Sequence, residues 1–182
     1  MIKTSYIETE GIVFKKNKYL ESSGLVEVFT PIFGCKNFLV KGLYRKNRRL
    51  QSPLEQLSVN YLEIFYKENR ELNVVTKAQI LFYPEGVVKD LEKFNVMIEM
   101  IKILRKQKYP TESVGKLYEL LKNSIFSLNS SREKEKIYFD FLENYLSIEG
   151  FLNDRIKSEN LKKLVLKERI KHYKTLIEGL NL

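Results

Sequence analysis

The chain has 182 residues, of which 43% are hydrophobic and 12% aromatic, enough to bury one sizeable core or two small ones. It carries 32 Lys and Arg against 23 Asp and Glu, and the net charge of +9 favours polyanionic partners such as nucleic acid. One cysteine excludes an internal disulfide and a multi-Cys zinc site, and without an apolar run of about 18 residues or an apolar signal region we expect neither a membrane span nor secretion.

The first half of the sequence predicts five strands, because it is rich in β-branched and aromatic residues with partial alternation. The predicted strands are residues 6–16, 24–30, 35–41, 57–66 and 71–82. Gly11 interrupts the first strand, the apolar phase slips in the fourth, and alternation from Leu72 to Phe82 predicts one buried face for the fifth. Since a glycine and a phase slip both bend a sheet sharply, the pattern favours a small barrel over an open sheet.

The link between the third and fourth predicted strands, residues 42–56, contains two signals. No acidic residue occurs between Glu27 and Glu55, so this part of the chain is strongly basic. At the end of the link, Ser52, Pro53 and Glu55 have the spacing of a helix N-cap, a first-turn proline and a capping-box carboxylate, which predicts a short helical turn. The basic residues of the link are Arg45, Lys46, Arg48 and Arg49.

From about residue 87 the apolar residues recur with a helical period, which predicts four amphipathic helices. Their stripes run from Leu91 to Ile101, Leu117 to Leu128, Ile137 to Ile148 and Leu161 to Leu176. The segment "FYPEG" at 82–86 marks the boundary. We therefore predict an α+β protein with the strands first: an OB-type five-stranded barrel at residues 1–82, then an all-helical domain at residues 83–182.

No group of residues points to catalysis. His172 and Cys35 lie in different halves of the sequence, and no glycine-rich phosphate loop is present. Carboxylates are interleaved with lysines, as in "SREKEKIYFD", a pattern typical of solvated helix faces. We predict that the protein is not an enzyme and has no catalytic residue, no metal and no cofactor.

A nucleic-acid site is the better-supported prediction, because cations contact phosphates while aromatic rings stack on unpaired bases. The loops and one face of OB barrels commonly hold oligonucleotides. The predicted nucleic-acid-binding residues are Lys15, Lys16, Lys36, Lys41, Tyr44, Arg45, Lys46, Arg48 and Arg49; Lys18, Tyr19, Phe33 and Phe38 lie near them in sequence, although Phe38 is more typical of a core residue.

Two other interpretations of the charge compete with this site. The basic link could serve only as a solvated loop. A second basic surface is predicted on the last helix, although Glu159 and Glu168 weaken its field; its cations are Lys162, Lys163, Lys167 and Lys171.

Four stretches of the sequence together resemble the RecO family of bacterial recombination mediators. They are "TEGIVFKKNKYLESSGLVEVFTPIFG" (9–34), "VKG" (40–42), "LQSPLEQLSVNYLEIFYKENRELNVVTKAQILF" (50–82) and "DLEKFNVMIEMIKIL" (90–104). The resemblance covers a little over half of the chain. Beyond about residue 110 the sequence resembles only a generic helical domain.

The resemblance implies an OB domain and a helical domain, binding of single-stranded and double-stranded DNA, and annealing of complementary strands in repair of DNA damage. It implies partnership with RecR and the single-strand-binding protein to load RecA, in the cytoplasm at the bacterial nucleoid. The four-cysteine zinc site that some family members carry in the helical half has no counterpart here. The positively charged OB face of the family corresponds to Lys36, Lys41, Arg45, Lys46, Arg48 and Arg49.

Two other classes of function remain open from the sequence. An OB module for RNA would use the same cations and aromatic residues, and competition between DNA and RNA would separate the two. A helical adaptor that docks other repair proteins, with incidental basicity, would keep its partners without DNA affinity at physiological salt.

Overall fold

The computed structural model describes residues 4–44, 54–105, 109–151 and 166–180. The chain divides into two compact units, Met1–Tyr83 and Pro84–Leu182. All five strands precede the helices, so the predicted α+β class, an OB-type barrel followed by helices, is confirmed.

The first unit is a closed barrel in which the strands are ordered β1-β2-β3-β5-β4. Neighbouring strands are antiparallel except β3 and β5, which run parallel and pair only at Phe38 with Asn73 and Leu39 with Val74. The strands are β1 Thr4–Tyr19, β2 Ser23–Thr30, β3 Gly34–Val40, β4 Val59–Lys67 and β5 Asn73–Phe82.

The barrel interior is filled by apolar side chains that alternate with outward residues along the strands. Gly11 of β1 lies tightly against this interior: a Cβ there would lie 2.5 Å from Val28 Cγ1 and 2.8 Å from Leu62 Cδ1. The glycine therefore allows close packing of β1 against the core. The register shift in the pairing of β1 with β2 lies further along the strand, between Val13 and Lys15. The core residues are Val13, Val26, Val28, Phe38, Val40, Leu43, Leu54, Leu62, Ile64, Val75 and Ala78.

The apolar phase of β4 slips as predicted, since Val59 is buried and Leu62 and Ile64 are buried in the opposite phase, but the extra residues lie in β5. Val59 and Asn60 pair with Phe82 and Ile80, and Glu63 and Ile64 pair with Lys77 and Val75, so Leu81 and Thr76 are the extra residues of two bulges. Val75 points into the core, whereas Thr76 is exposed and its Oγ1 lies 2.8 Å from Oε1 of Glu63. The single buried face predicted from Leu72 to Phe82 is therefore wrong.

The helical turn predicted at the end of the basic link is also wrong where the structure describes it. Ser52 and Pro53 lie outside the described residues, but Leu54 has a φ of 50° and Leu57 a φ of 68°, both left-handed. That conformation costs about 1–2 kcal/mol per residue. Both side chains are fully buried, and burial of a leucine stabilises by about 1.5–3 kcal/mol, which outweighs the strain.

The second unit consists of helices, and their cores only partly follow the predicted apolar stripes. In the helix Leu91–Arg105 the predicted stripe is wrong at its start, because Leu91 is 74% exposed and the buried residues are Met97, Met100, Ile101 and Leu104. In the longest helix, the stripe from Leu117 to Leu128 is completely buried. No described helix is long and apolar enough to cross a membrane. The helices are α1 Glu85–Val88, α2 Leu91–Arg105, α3 Thr111–Ser130, α4 Lys134–Ile148 and α5 Leu166–Leu180.

Candidate nucleic-acid interface

Five of the nine predicted DNA-binding residues lie in the part of the chain that the structure describes. The other four, Arg45, Lys46, Arg48 and Arg49, lie outside it. The described five do not form one cluster: they divide among the two ends of the barrel and its outer surface. They are Lys15, Lys16, Lys36, Lys41 and Tyr44.

The start of the basic link is tied to the turn between β1 and β2. The backbone N–H of Tyr44 donates to the carbonyl of Ser22 at 3.0 Å. Leu43, only 1% exposed, packs on Gly24, where a Cβ would lie 2.2 Å from Leu43 Cδ2. A glycine in β2 and a buried leucine in the link therefore hold the two segments together at one end of the barrel.

This end, which we call the hairpin end, presents cations and aromatic rings on adjoining segments. Lys18 of β1 lies opposite Gly24 of β2, and Gly24 lies opposite Val40, which directly precedes Lys41. Lys18 and Lys41 are both exposed. Tyr19 and Tyr44 are each 39% exposed. The hairpin end is defined by Lys18, Tyr19, Lys41 and Tyr44.

Lys15 and Lys16 are accompanied by the two acidic residues that border the acid-free part of the sequence. Lys15 lies directly opposite Glu27, so both side chains are on one face. Lys16 Nζ lies 3.2 Å from Oε1 of Glu55, and its side chain is only 23% exposed. The fold brings both acids back beside these lysines, which therefore contribute less net charge to a phosphate site than the sequence indicates.

Lys36 lies at the opposite end of β3 from Lys41, about 17 Å along an extended strand. It pairs with Val28 and belongs to the inward row of β3 where the barrel opens. Its ammonium lies 5.5 Å from the ring centre of Phe33 and 5.9 Å from that of Tyr66. The structure therefore separates Lys36 from the hairpin end, although the sequence places them in one basic block.

The outer face of β1 and β4 has the opposite charge. Glu8 lies opposite Glu63, and Glu10 lies opposite Tyr61. A hydrogen bond to the Glu8 carboxylate, together with burial and the nearby acids, raises the pKa of Tyr61. This acidic face repels phosphate, so the charge of the barrel directs a polyanion away from β1 and β4.

No group of three or more His, Cys, Asp or Glu among the described residues could hold a metal ion. The thiol of Cys35 is half-buried and donates to Oε1 of Glu27 at 3.2 Å.

The chain is similar in sequence to known proteins. Residues 1–83 match the family model "Recombination protein O N terminal". The chain is also 26% identical over 146 residues to the "DNA repair protein RecO" of Prosthecochloris aestuarii and 26% identical over 149 residues to that of Chlorobium luteolum. Each alignment covers 80% of this chain and 55% of the relative, so the chain spans about half the length of these relatives. Over its first 83 residues, the chain is therefore similar to the recombination protein O N-terminal family.

Proposed function

We propose that the protein is a DNA-binding recombination mediator in recombinational repair. The observation that carries the proposal is the hairpin end, where exposed lysines and half-exposed tyrosines lie together on a barrel similar to the RecO N-terminal family. Relatives along most of the chain are named as DNA repair proteins. We assign DNA binding to the barrel, residues 1–82, and place the protein in the cytoplasm at the bacterial nucleoid.

The proposed contacts are of two kinds: cationic side chains bind phosphates, and aromatic rings stack on bases. Lysines and arginines neutralise phosphates of single-stranded or double-stranded DNA, and this attraction does not depend on sequence. Tyrosine rings stack on unpaired bases. A surface of this kind holds a strand without masking its base sequence, which is what annealing of complementary strands requires. The proposed DNA-binding residues are Lys15, Lys16, Lys36, Lys41, Tyr44, Arg45, Lys46, Arg48 and Arg49.

The contributions of these residues are unequal in the described structure. Lys36 and Lys41 make no ion pair among the described residues, whereas Lys16 is paired with Glu55. Lys41 also lies beside Tyr44 at the hairpin end. We therefore expect Lys41 to matter more than Lys16 for binding.

The proposed partners follow from the similarity of the N-terminal domain to the RecO family. With RecR, the protein would help to load RecA onto DNA that is coated with single-strand-binding protein. We assign the protein no catalytic role, metal or cofactor. The helical unit would serve contacts with these proteins.

The test is the salt dependence of binding to a labelled single-stranded oligonucleotide, measured by fluorescence anisotropy. The logarithm of affinity should fall with the logarithm of salt with a slope of roughly −0.7 per phosphate contact. Replacing Lys18 and Lys41 together by Ala should weaken binding and reduce the slope by about one to two contacts. Lys77→Ala on the acidic face is the matched control and should change neither. A flat response to salt would refute the phosphate contacts.

Two further measurements address the rest of the proposal. Competition with RNA of the same sequence distinguishes a DNA mediator from an RNA-binding module, since the mediator should retain DNA. Annealing of complementary strands coated with single-strand-binding protein should be faster with this protein, and RecR should alter that rate. A protein that binds these partners but has no affinity for DNA at physiological salt is an adaptor, and the proposal is then wrong.

A further inference from the structure

A second cluster of aromatic rings and cationic charge lies at the end of the barrel opposite the hairpin end. The rings of Phe33 and Tyr66 are stacked, with centres 5.5 Å apart and planes 17° apart. The ammonium of Lys36 lies within 6 Å of both ring centres. These three residues come from the β2–β3 turn, β3 and β4. We call this cluster the barrel mouth.

The rings of the barrel mouth are held in place by the fold. The backbone N–H of Phe33 donates to Thr30 Oγ1 at 2.9 Å, and Gly34 takes the left-handed conformation that completes the turn, with φ of 64°. Phe33 also packs against the fully buried Phe38, with ring centres 6.0 Å apart. The backbone of Tyr66 is part of β4, and its ring stacks on Phe33. Phe33 and Tyr66 remain partly exposed, so the mouth is a preformed aromatic surface.

Lys36 supplies the net charge of the barrel mouth. It makes no ion pair within the described ranges. The last residue of β4 and the β4–β5 turn together carry two cations and two acids, all exposed, and therefore add no net charge that would oppose a phosphate. They are Lys67, Glu68, Arg70 and Glu71.

The barrel contains a second lysine over a tyrosine, but the charges around it differ from those around Lys36 at the barrel mouth. Lys77 Nζ lies 5.8 Å from the ring centre of Tyr61. That pair is on the acidic face, where Lys77 lies opposite Glu63. A phosphate approaching Lys77 meets carboxylates, whereas a phosphate approaching Lys36 meets aromatic rings.

We propose that the barrel mouth is a second contact for single-stranded nucleic acid, in which an unpaired base stacks on Tyr66 and Lys36 neutralises an adjoining phosphate. The mouth is separated from the hairpin end by about the length of β3, so it is a distinct contact point. Base stacking is sequence-tolerant and requires unpaired bases, so the mouth selects single strands over duplex. This inference rests on the proposed DNA-binding function and adds the stacking site to it.

The chain contains no tryptophan, so Tyr66→Trp introduces a single fluorescent reporter at the mouth. Titration with oligo(dT) should quench its emission in parallel with the anisotropy of labelled DNA. Tyr61→Trp is the matched control, because it also lies beside a lysine but on the acidic face; its emission should not change. Quenching by a duplex should be several-fold weaker.

Affinity measurements give an independent readout. Tyr66→Leu or Lys36→Ala should weaken binding of oligo(dT) by about 5-fold or more, since one stacked base contributes a factor of that order. Tyr66→Phe keeps the ring and should bind like the parent, and Lys77→Ala should change affinity less than 2-fold. If circular dichroism shows that Tyr66→Leu unfolds the barrel, the affinity of Lys36→Ala and the Tyr66→Trp emission still test the proposed contact.

The two proposals fail in different ways. Normal DNA binding, with an unquenched Tyr66→Trp reporter and unaltered affinity in Lys36→Ala, overturns the mouth as a contact and leaves the proposed function intact. Absence of DNA binding by the parent protein overturns both. Quenching at the mouth together with weakened binding in Lys36→Ala supports the inference.

Discussion

Leu43 joins the core of the barrel to the basic link, and truncation of its side chain should damage both stability and DNA binding. The side chain is 1% exposed and belongs to the barrel core. Leu43→Ala removes three carbon groups, which at about 0.8 kcal/mol each represents about 2.4 kcal/mol of lost transfer free energy. The cavity left above Gly24 raises the expected loss to about 3 kcal/mol, within the usual range for buried leucines.

Hydrogen exchange of the full chain, followed by mass spectrometry, measures this loss in the barrel alone. Amides of β2 and β3 that exchange through unfolding of the barrel should exchange about 100-fold faster in Leu43→Ala, because each 1.4 kcal/mol is a factor of ten. Leu20→Ala in the β1–β2 turn is the control, since Leu20 is 74% exposed and its replacement should cost less than about 0.5 kcal/mol.

The same variant tests the connection between packing and function. Leu43 positions Tyr44, whose backbone N–H bonds to Ser22, so the start of the basic link should lose its place beside the β1–β2 turn. DNA affinity measured under conditions where the barrel remains folded should therefore fall. Exchange rates in Leu43→Ala equal to those in Leu20→Ala would refute the packing argument, and unchanged DNA affinity would refute its connection to the site.

Neutralising the basic link should leave the circular dichroism spectrum and the melting temperature nearly unchanged. It should weaken binding of single-stranded DNA more than neutralising Lys167 and Lys171 of α5 does. Equal DNA binding by the link variant and the parent would contradict the assignment. The four link residues are Arg45, Lys46, Arg48 and Arg49. Burial raises the pKa of Glu149, with a hydrogen bond from Ser113 opposing the shift, so ionisation destabilises the folded helices as the pH rises above about 4. Glu149→Gln should therefore melt at a higher temperature than the parent at pH 7, with the difference vanishing near pH 4; a difference independent of pH would contradict this.

The amino-acid sequence by itself determined the order and type of the elements. Alternation in the first half and helical periodicity in the second are local properties, because they record which side of each element faces the core. The five predicted strands correspond to β1 to β5, and the stripe from Leu117 to Leu128 is buried in α3 as predicted. The net charge and the basic link are likewise read directly from the sequence.

Tertiary structure alone decided how the candidate site is arranged. Glu27 and Glu55 border the acid-free part of the sequence, yet strand pairing and the end of the link bring them beside Lys15 and Lys16. Closure of the barrel also places Tyr66 against Phe33, although the two lie on distant parts of the chain. Neither contact has a local signal, because each depends on register between segments that are far apart in sequence.

The same reason explains the two errors in local structure. Thr76 of β5 is an extra residue of a bulge, because this arrangement buries Val75 in the barrel core. The left-handed conformation of Leu57 persists because burial of its side chain outweighs the local strain. Lys36 and Lys41 lie close in sequence, but an extended strand carries them to opposite ends of the barrel. Local sequence therefore determined which residues are available for a nucleic acid, and barrel closure decided which of them act together, since only packing between distant segments sets the register.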